Sequence, residues 1–191
     1  MKFACECGQV QGELDPSRVY TRATCYCGDC QAFARWLGGG GLVDAHGGSD
    51  ILPMAPDGVR FTRGIEHVAC MSLSPRGLLR WHSRCCRTPL GNTPRDPAMF
   101  YVGMPVACLC VDDVALDAAF GPRDRIVLQT GSAIGKVAST PLALALGGLR
   151  ILAGVVGGKL RRKRDATFFD AAGAPLRAPE VISKSQRDAL A

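Results

Sequence analysis

Ten of the 191 residues are cysteine, and half of them crowd into two short stretches near the start. Cys25, Cys27 and Cys30 stand in "CYCGDC", spaced C-x-C-x-x-C, and Cys5 and Cys7 form a C-x-C pair about twenty residues earlier. Thiolates at such spacings suit zinc, which gathers sulfur in a tetrahedron with Zn–S near ~2.3 Å. Donors close in sequence lose little entropy on meeting, because the loop they close is short. C-x-C puts two sulfurs on one side of an extended segment, and C-x-x-C at a tight turn brings two together. Gly28 is expected where that turn must be sharpest. Three ligands leave one tetrahedral position open, which a catalytic or substrate-binding zinc needs, whereas a closed structural site uses four. Cys25, Cys27 and Cys30 are therefore both candidate metal ligands and the candidate catalytic centre.

Cys5 and Cys7 need partners from elsewhere. The stretch "RWHSRCCRTPLGN" offers His82-x-x-Cys85 with Cys86 adjacent. A site made of Cys5, Cys7, Cys85 and either Cys86 or His82 would tie the first strand to one about eighty residues later. Such a tie can supply folding free energy on the order of 10 kcal/mol. The other candidates read as ordinary structure. Cys70 is expected to pack as a small hydrophobe; Cys108 and Cys110 could form a third C-x-C pair, with core packing the favoured reading. His67 is expected on a strand face, and His46 in a solvated loop, where it has proton-shuttle chemistry. "GSAIGKV" lacks the spacing of a phosphate loop. A redox C-x-x-C would need a βαβ setting, and none is found.

This order of motifs, C-x-C-G near the start, C-x-C-x-x-C next, then "GLLRWHSRCCRTPLGN", resembles the glutathione-dependent formaldehyde-activating enzyme and centromere protein V family over about residues 3–110. The resemblance implies a zinc-stapled antiparallel β-fold of the β-tent type carrying two Zn2+ ions. It implies that Cys5 and Cys7 join the late knuckle in a structural site, and that Cys25, Cys27 and Cys30 hold a catalytic or glutathione-linked zinc. The implied activity is that of a carbon–sulfur lyase on small thiol adducts. Its type reaction condenses formaldehyde with glutathione to S-hydroxymethylglutathione, so the implied partners are a small thiol and an aldehyde. The knuckle departs from the family pattern. An aromatic residue followed by Cys-x-x-Cys-Gly becomes Trp81, then His82-Ser83-Arg84-Cys85-Cys86. Either His82 replaces the first thiolate, or Cys86 does so after a small turn adjustment. A zinc carrying three thiolates is also a poor Lewis acid. The alternative is thus a non-catalytic zinc-stapled scaffold whose C-terminal helices bind a protein partner or a membrane surface. Arg35 and Arg84 are candidates to hold a substrate carboxylate.

The elements that must position these residues are mostly strands. "VRFTRG", "IEHVACMSLS" and "GLLRWHS" are separated by Gly64 and by Pro75-Arg76-Gly77, a pattern of short hairpins. "MFYVGMPVACLCV" reads as a further extended stretch, and residues 38–48 as a glycine-rich loop. "DDVALDAAFG" reads as a short helix with an acidic start and a closing glycine, and "APEVISKSQRDALA" as a last one. The reading is a mainly β protein: a zinc-binding β domain over 1–111 and a helical extension over 112–191, packed on it or on a partner subunit.

Residues 141–158 carry a single charge, Arg150, and five glycines. Their leucines could cover one broad helix face. Packing on the sheet or in a homodimer is favoured over membrane-surface contact, because glycines suit close helix contacts. The net charge is +6. Of this, +4 falls over residues 159–191, where eight basic residues oppose four acidic. The first 158 residues are nearly neutral, which argues against a specific nucleic-acid groove in the main domain. No secretory signal is visible in "MKFACECGQV", so the expected compartment is cytoplasmic and disulfides are not the default use of cysteine.

Overall fold

The structure is a computed structural model that describes residues 1–39 and 41–190. Gly40, within the expected glycine loop, and Ala191, at the end of the expected last helix, lie outside the described residues. The protein is mainly β, with eleven strands in two sheets among the described residues. A three-stranded antiparallel sheet contains β1 (Lys2–Ala4), β2 (Gln11–Leu14) and β5 (Val59–Arg63), in the order β1-β2-β5. The larger sheet has eight strands: β3 (Ala23–Cys25), β4 (Ser49–Met54), β6 (Val68–Ser72), β7 (Leu79–Ser83), β8 (Pro89–Thr93), β9 (Val102–Pro105), β10 (Val127–Leu128) and β11 (Glu180–Val181). Their order is β10-β3-β4-β9-β8-β7-β6-β11. The inner pairings are antiparallel, while β10 joins β3 and β11 joins β6 in parallel.

Strand alternation gives the large sheet two unlike faces. Leu79, Trp81, Leu52, Met54 and Met104 turn toward the small sheet and make the main core with Phe3 and Leu14. The Trp81 indole donates to Thr93 Oγ1 at 3.0 Å, which satisfies its one buried donor. The other face is covered by α1 (Gly28–Leu37), whose Phe33 and Leu37 pack on Met71 and Leu73. This helix begins where Cys27 Sγ accepts the Cys30 backbone N–H at 3.3 Å, and it ends at Gly38, whose φ of 115° needs a glycine. Gly28 behaves differently from expectation. It is the first helical residue, its φ is ordinary, and a Cβ there would meet nothing within 4 Å. The turn is made by the helix start, not by glycine freedom.

The segment 112–191 is more than a helical extension. It contains α2 (Asp113–Phe120), α3 (Pro141–Leu160) and α4 (Lys184–Asp188). It also supplies both outer strands of the large sheet, β10 and β11, and buries Phe168 and Phe169 in the main core against Trp81. Position 111/112 is therefore not a packing boundary. Arg22, buried just before β3, fixes α2 to the sheet. Its guanidinium holds Asp50 at 2.7 Å and Asp117 of α2 at 2.7 Å, and also reaches the Gly121 carbonyl. Asp112 caps α2 by accepting the Ala115 N–H.

The contacts of α3 reverse the expected arrangement. Its glycines, not its leucines, touch the body: Gly147 lies against Ile126, Gly154 against the Tyr20 ring, and Gly158 against Phe100. Leu142, Leu146, Leu149 and Leu160 face outward. The helix leads into Asp165, a buried carboxylate whose Oδ1 accepts from the Thr167 and Phe168 N–H groups, while Oδ2 has no partner among the described residues.

Candidate metal centres

Four sulfurs meet where the β1–β2 loop touches the β7–β8 turn. The atoms of Cys5, Cys7, Cys85 and Cys86 all lie within 4.8 Å of one another. Cys5 is 3.6 Å from Cys7 and 3.8 Å from Cys85; Cys7–Cys85 is 3.1 Å and Cys85–Cys86 is 3.8 Å. A tetrahedral ion with metal–sulfur bonds near ~2.3 Å needs sulfurs roughly 3.8 Å apart, so this set fits a cation with little rearrangement. The surroundings already treat the sulfurs as acceptors. The Val10 N–H points at Cys5 Sγ at 3.2 Å. Burial pushes the Cys86 thiol up, but the Ser83 and Thr88 hydroxyls, each 3.3 Å away, and the Cys7 N–H outweigh it and hold Cys86 down to about 5. Thr88 also accepts the Glu6 N–H, locking the two loops together.

The fourth sulfur is that of Cys86. His82 is not in the cluster: it lies on the α1 side of β7, its ring against Trp36 with centroids 4.9 Å apart. Burial, with the charges of Arg87 and Arg84 behind it, pulls the His82 imidazole down to about 4, and its Nδ1 has no partner among the described residues.

The second cluster is Cys25, Cys27 and Cys30, again within 4.8 Å of one another. Cys25 ends β3, Cys27 caps α1 and Cys30 sits in its first turn, so a strand end and a helix start converge. Among the described residues no fourth His, Cys, Asp or Glu completes the group. Hydrogen bonds from the Cys25 and Cys30 thiols, then from the Cys30 N–H, with the Arg80 charge behind them, draw Cys27 far below the ordinary thiol range. Donating those bonds pushes Cys25 up. Three sulfurs with one thiolate already favoured, at a helix N-terminus, form an incomplete but cation-ready donor set.

Arg80, on β7, was not among the sequence candidates. It is buried, stacks over the Phe33 ring at 5.1 Å and donates to Asn92 Oδ1 at 3.3 Å. The carboxylate facing it, Asp29, is 3.9 Å away and is itself held at 2.8 Å by Arg187. Much of its charge is therefore left for the thiols. Beside Cys30 and Arg80 opens a cavity of about 150 Å³ between α1 and the sheet, also lined by Phe33, Leu37, Asn92 and Arg123. Arg35 and Arg84 are elsewhere: Arg35 binds Gln31 and the Leu190 carbonyl, and Arg84 faces the groove beside His82. Tyr101 is a second unforeseen neighbour. Burial, then the Cys25 and Cys30 sulfurs, push its phenol above the usual range. His46 is exposed, and its Nδ1 lies 2.8 Å from the Ile134 carbonyl oxygen. Cys70 and Cys108 are buried and Cys110 is exposed, and none of the three belongs to either cluster.

The sequence model of DUF6151, a family of unknown function, matches residues 1–147. The chain belongs to this family. The DUF6151 match takes in both cysteine clusters and Arg80, and it ends within α3. No curated protein matches the chain. A solved Rhodobacter sphaeroides protein, a structural-genomics target, is 22% identical with a TM-score of 0.44, covering 64% of this chain and 99% of that one.

Proposed function

We propose that this protein is a two-zinc enzyme acting on small thiol adducts, a carbon–sulfur lyase of the S-hydroxymethylglutathione synthase type. The observation that supports it is the cavity shared by Cys30 and Arg80, next to a thiol set that lacks a fourth ligand among the described residues. Cys5, Cys7, Cys85 and Cys86 would hold the structural ion, and Cys25, Cys27 and Cys30 the other. Bound there, zinc would lower the pKa of a substrate thiol and so favour its thiolate.

The chain's own residues account for the rest. Arg80 offsets the negative charge of three thiolates, which answers the objection that such a site repels a fourth. Phe33 and Leu37 supply apolar wall to the cavity, and Asn92 holds the guanidinium of Arg80 in place. Arg123, paired with Asp44 at 3.0 Å, stands at the cavity as a partner for a substrate carboxylate. In the forward direction the thiol sulfur bonds to the aldehyde carbon, the C=O π bond opens, and the thiol proton ends on the new hydroxyl.

The test is a screen of thiols with formaldehyde and other small aldehydes, run on the wild type beside Cys27→Ser. Turnover by the wild type and its loss in a folded variant that keeps one zinc is the expected result. No turnover with any pair, in protein carrying two zincs, would overturn the reading and leave the scaffold.

A further inference from the structure

Helix α3 turns its apolar side away from the protein. It has 20 residues and is apolar and long enough to cross a membrane, yet only 11% of its most apolar window is buried. Leu142, Leu146, Leu149, Ala153, Val156 and Leu160 recur at intervals of four and three, which puts them in one line along the helix. Leu142 is 82% exposed, Leu149 62% and Leu160 80%. The opposite side docks on the body through Gly147, Gly154 and Gly158. At about 100° per residue, Arg150 falls on one side of the leucine line and Lys159 on the other. Arg161 and Arg162 follow at the helix end. Among the described residues none of these four cations is in an ion pair, whereas Lys163 is committed to Asp57 at 2.6 Å. Between Asp124 and Asp165 the chain has eight basic residues and no acidic one.

An exposed apolar line of this length marks an interaction surface, and the charges decide its partner. A second copy laid along the line would meet Arg150 and Lys159 with like charges, since the helix has no carboxylate to offer in either direction. An anionic lipid surface supplies both what the leucines need and what the arginines need. We propose that α3 lies in the plane of an anionic membrane, its leucine line in the acyl boundary and its flanking cations against the lipid headgroups. The glycine contacts hold the helix along the body, so it rests on the bilayer and does not cross it. This assignment is independent of the lyase reading.

The experiment is co-sedimentation of the full, zinc-loaded chain with vesicles of phosphatidylcholine alone or mixed with phosphatidylserine, beside its oligomeric state by analytical ultracentrifugation. The expected result is a chain that pellets with the mixed vesicles, several-fold less with the neutral ones, and less again at high salt. Arg161→Gln and Arg162→Gln should each lower partitioning roughly five-fold. Leu149→Glu, at an exposed position, should abolish it with zinc content and circular dichroism unchanged. A chain that stays in the supernatant with both vesicles overturns the proposal. A dimer that Leu149→Glu splits, in protein indifferent to lipid, would assign the leucine line to a second copy instead.

Discussion

At the scale of single residues, two buried charges have effects that can be measured. Arg80 is the cation placed to compensate the three-thiol cluster. We expect Arg80→Met to weaken zinc retention there by about 10- to 100-fold, as loss of a supporting group around a metal site typically does. Competition with a chromogenic chelator would show one ion leaving early and the ion at Cys5, Cys7, Cys85 and Cys86 unmoved; Arg80→Lys should fall between. Asp165 gives a pH signature. Burial pushes its carboxyl up to about 6, against backbone N–H bonds that pull it down. The folded state therefore holds a proton that the unfolded state gives up near pH 4. Its stabilising effect is fully present below that value and is lost as pH rises to about 6, a fall of roughly 3 kcal/mol. Denaturant titrations across that window should show the fall, and Asp165→Asn should remove it. The two cysteine clusters were legible in the sequence because their spacing is local and chemical. Arg80 was not: in "LLRWHS" alternation opposes it to Leu79 and Trp81, but only the crossing of α1 turns that face into a cavity wall. His82 and Cys86 were both open because ligand choice at the knuckle depends on which way β7 faces.

At the scale of elements, α3 separates helix propensity from fit. Gly148 and Gly154 sit in the same helix, yet a Cβ at Gly148 meets nothing within 4 Å and one at Gly154 would run into the Tyr20 ring. Tyr20 cannot swing away freely, since its hydroxyl donates to the Phe100 carbonyl. Gly148→Ala should therefore stabilise the protein by up to about 1 kcal/mol, and Gly154→Ala should destabilise it and loosen the helix. Thermal melts of the two variants give shifts of opposite sign if the glycine face is the docking face. The helix itself was legible from its apolar length, and α2 from its acidic start and closing glycine. Which face of α3 docks was not, because leucine periodicity says where the apolar line runs and nothing about whether a glycine line opposite packs more closely. β10 and β11 were missed for a simpler reason: two-residue strands carry no period to read.

For the whole molecule, the four-sulfur cluster joins residues 5–7 to residues 85–86 and thereby the small sheet to the large one. Two zinc ions per chain are expected by atomic emission. Cys85→Ser should lose one together with the cooperative melt, since a structural site is worth on the order of 10 kcal/mol and whole domains are stable by only about 5–15 kcal/mol. Cys27→Ser should lose one and keep the melt. A mainly β architecture was legible from short alternating runs between turn residues, but its completion was not, because both flanks of the large sheet come from the last third of the chain. A polypeptide leaving the ribosome has thus made every inner strand before either border is covered. It waits with β3 and β6 open to other chains until residues 127–128 and then 180–181 are synthesised. Over that closing third the uncovered borders are where the nascent chain is open to mispairing.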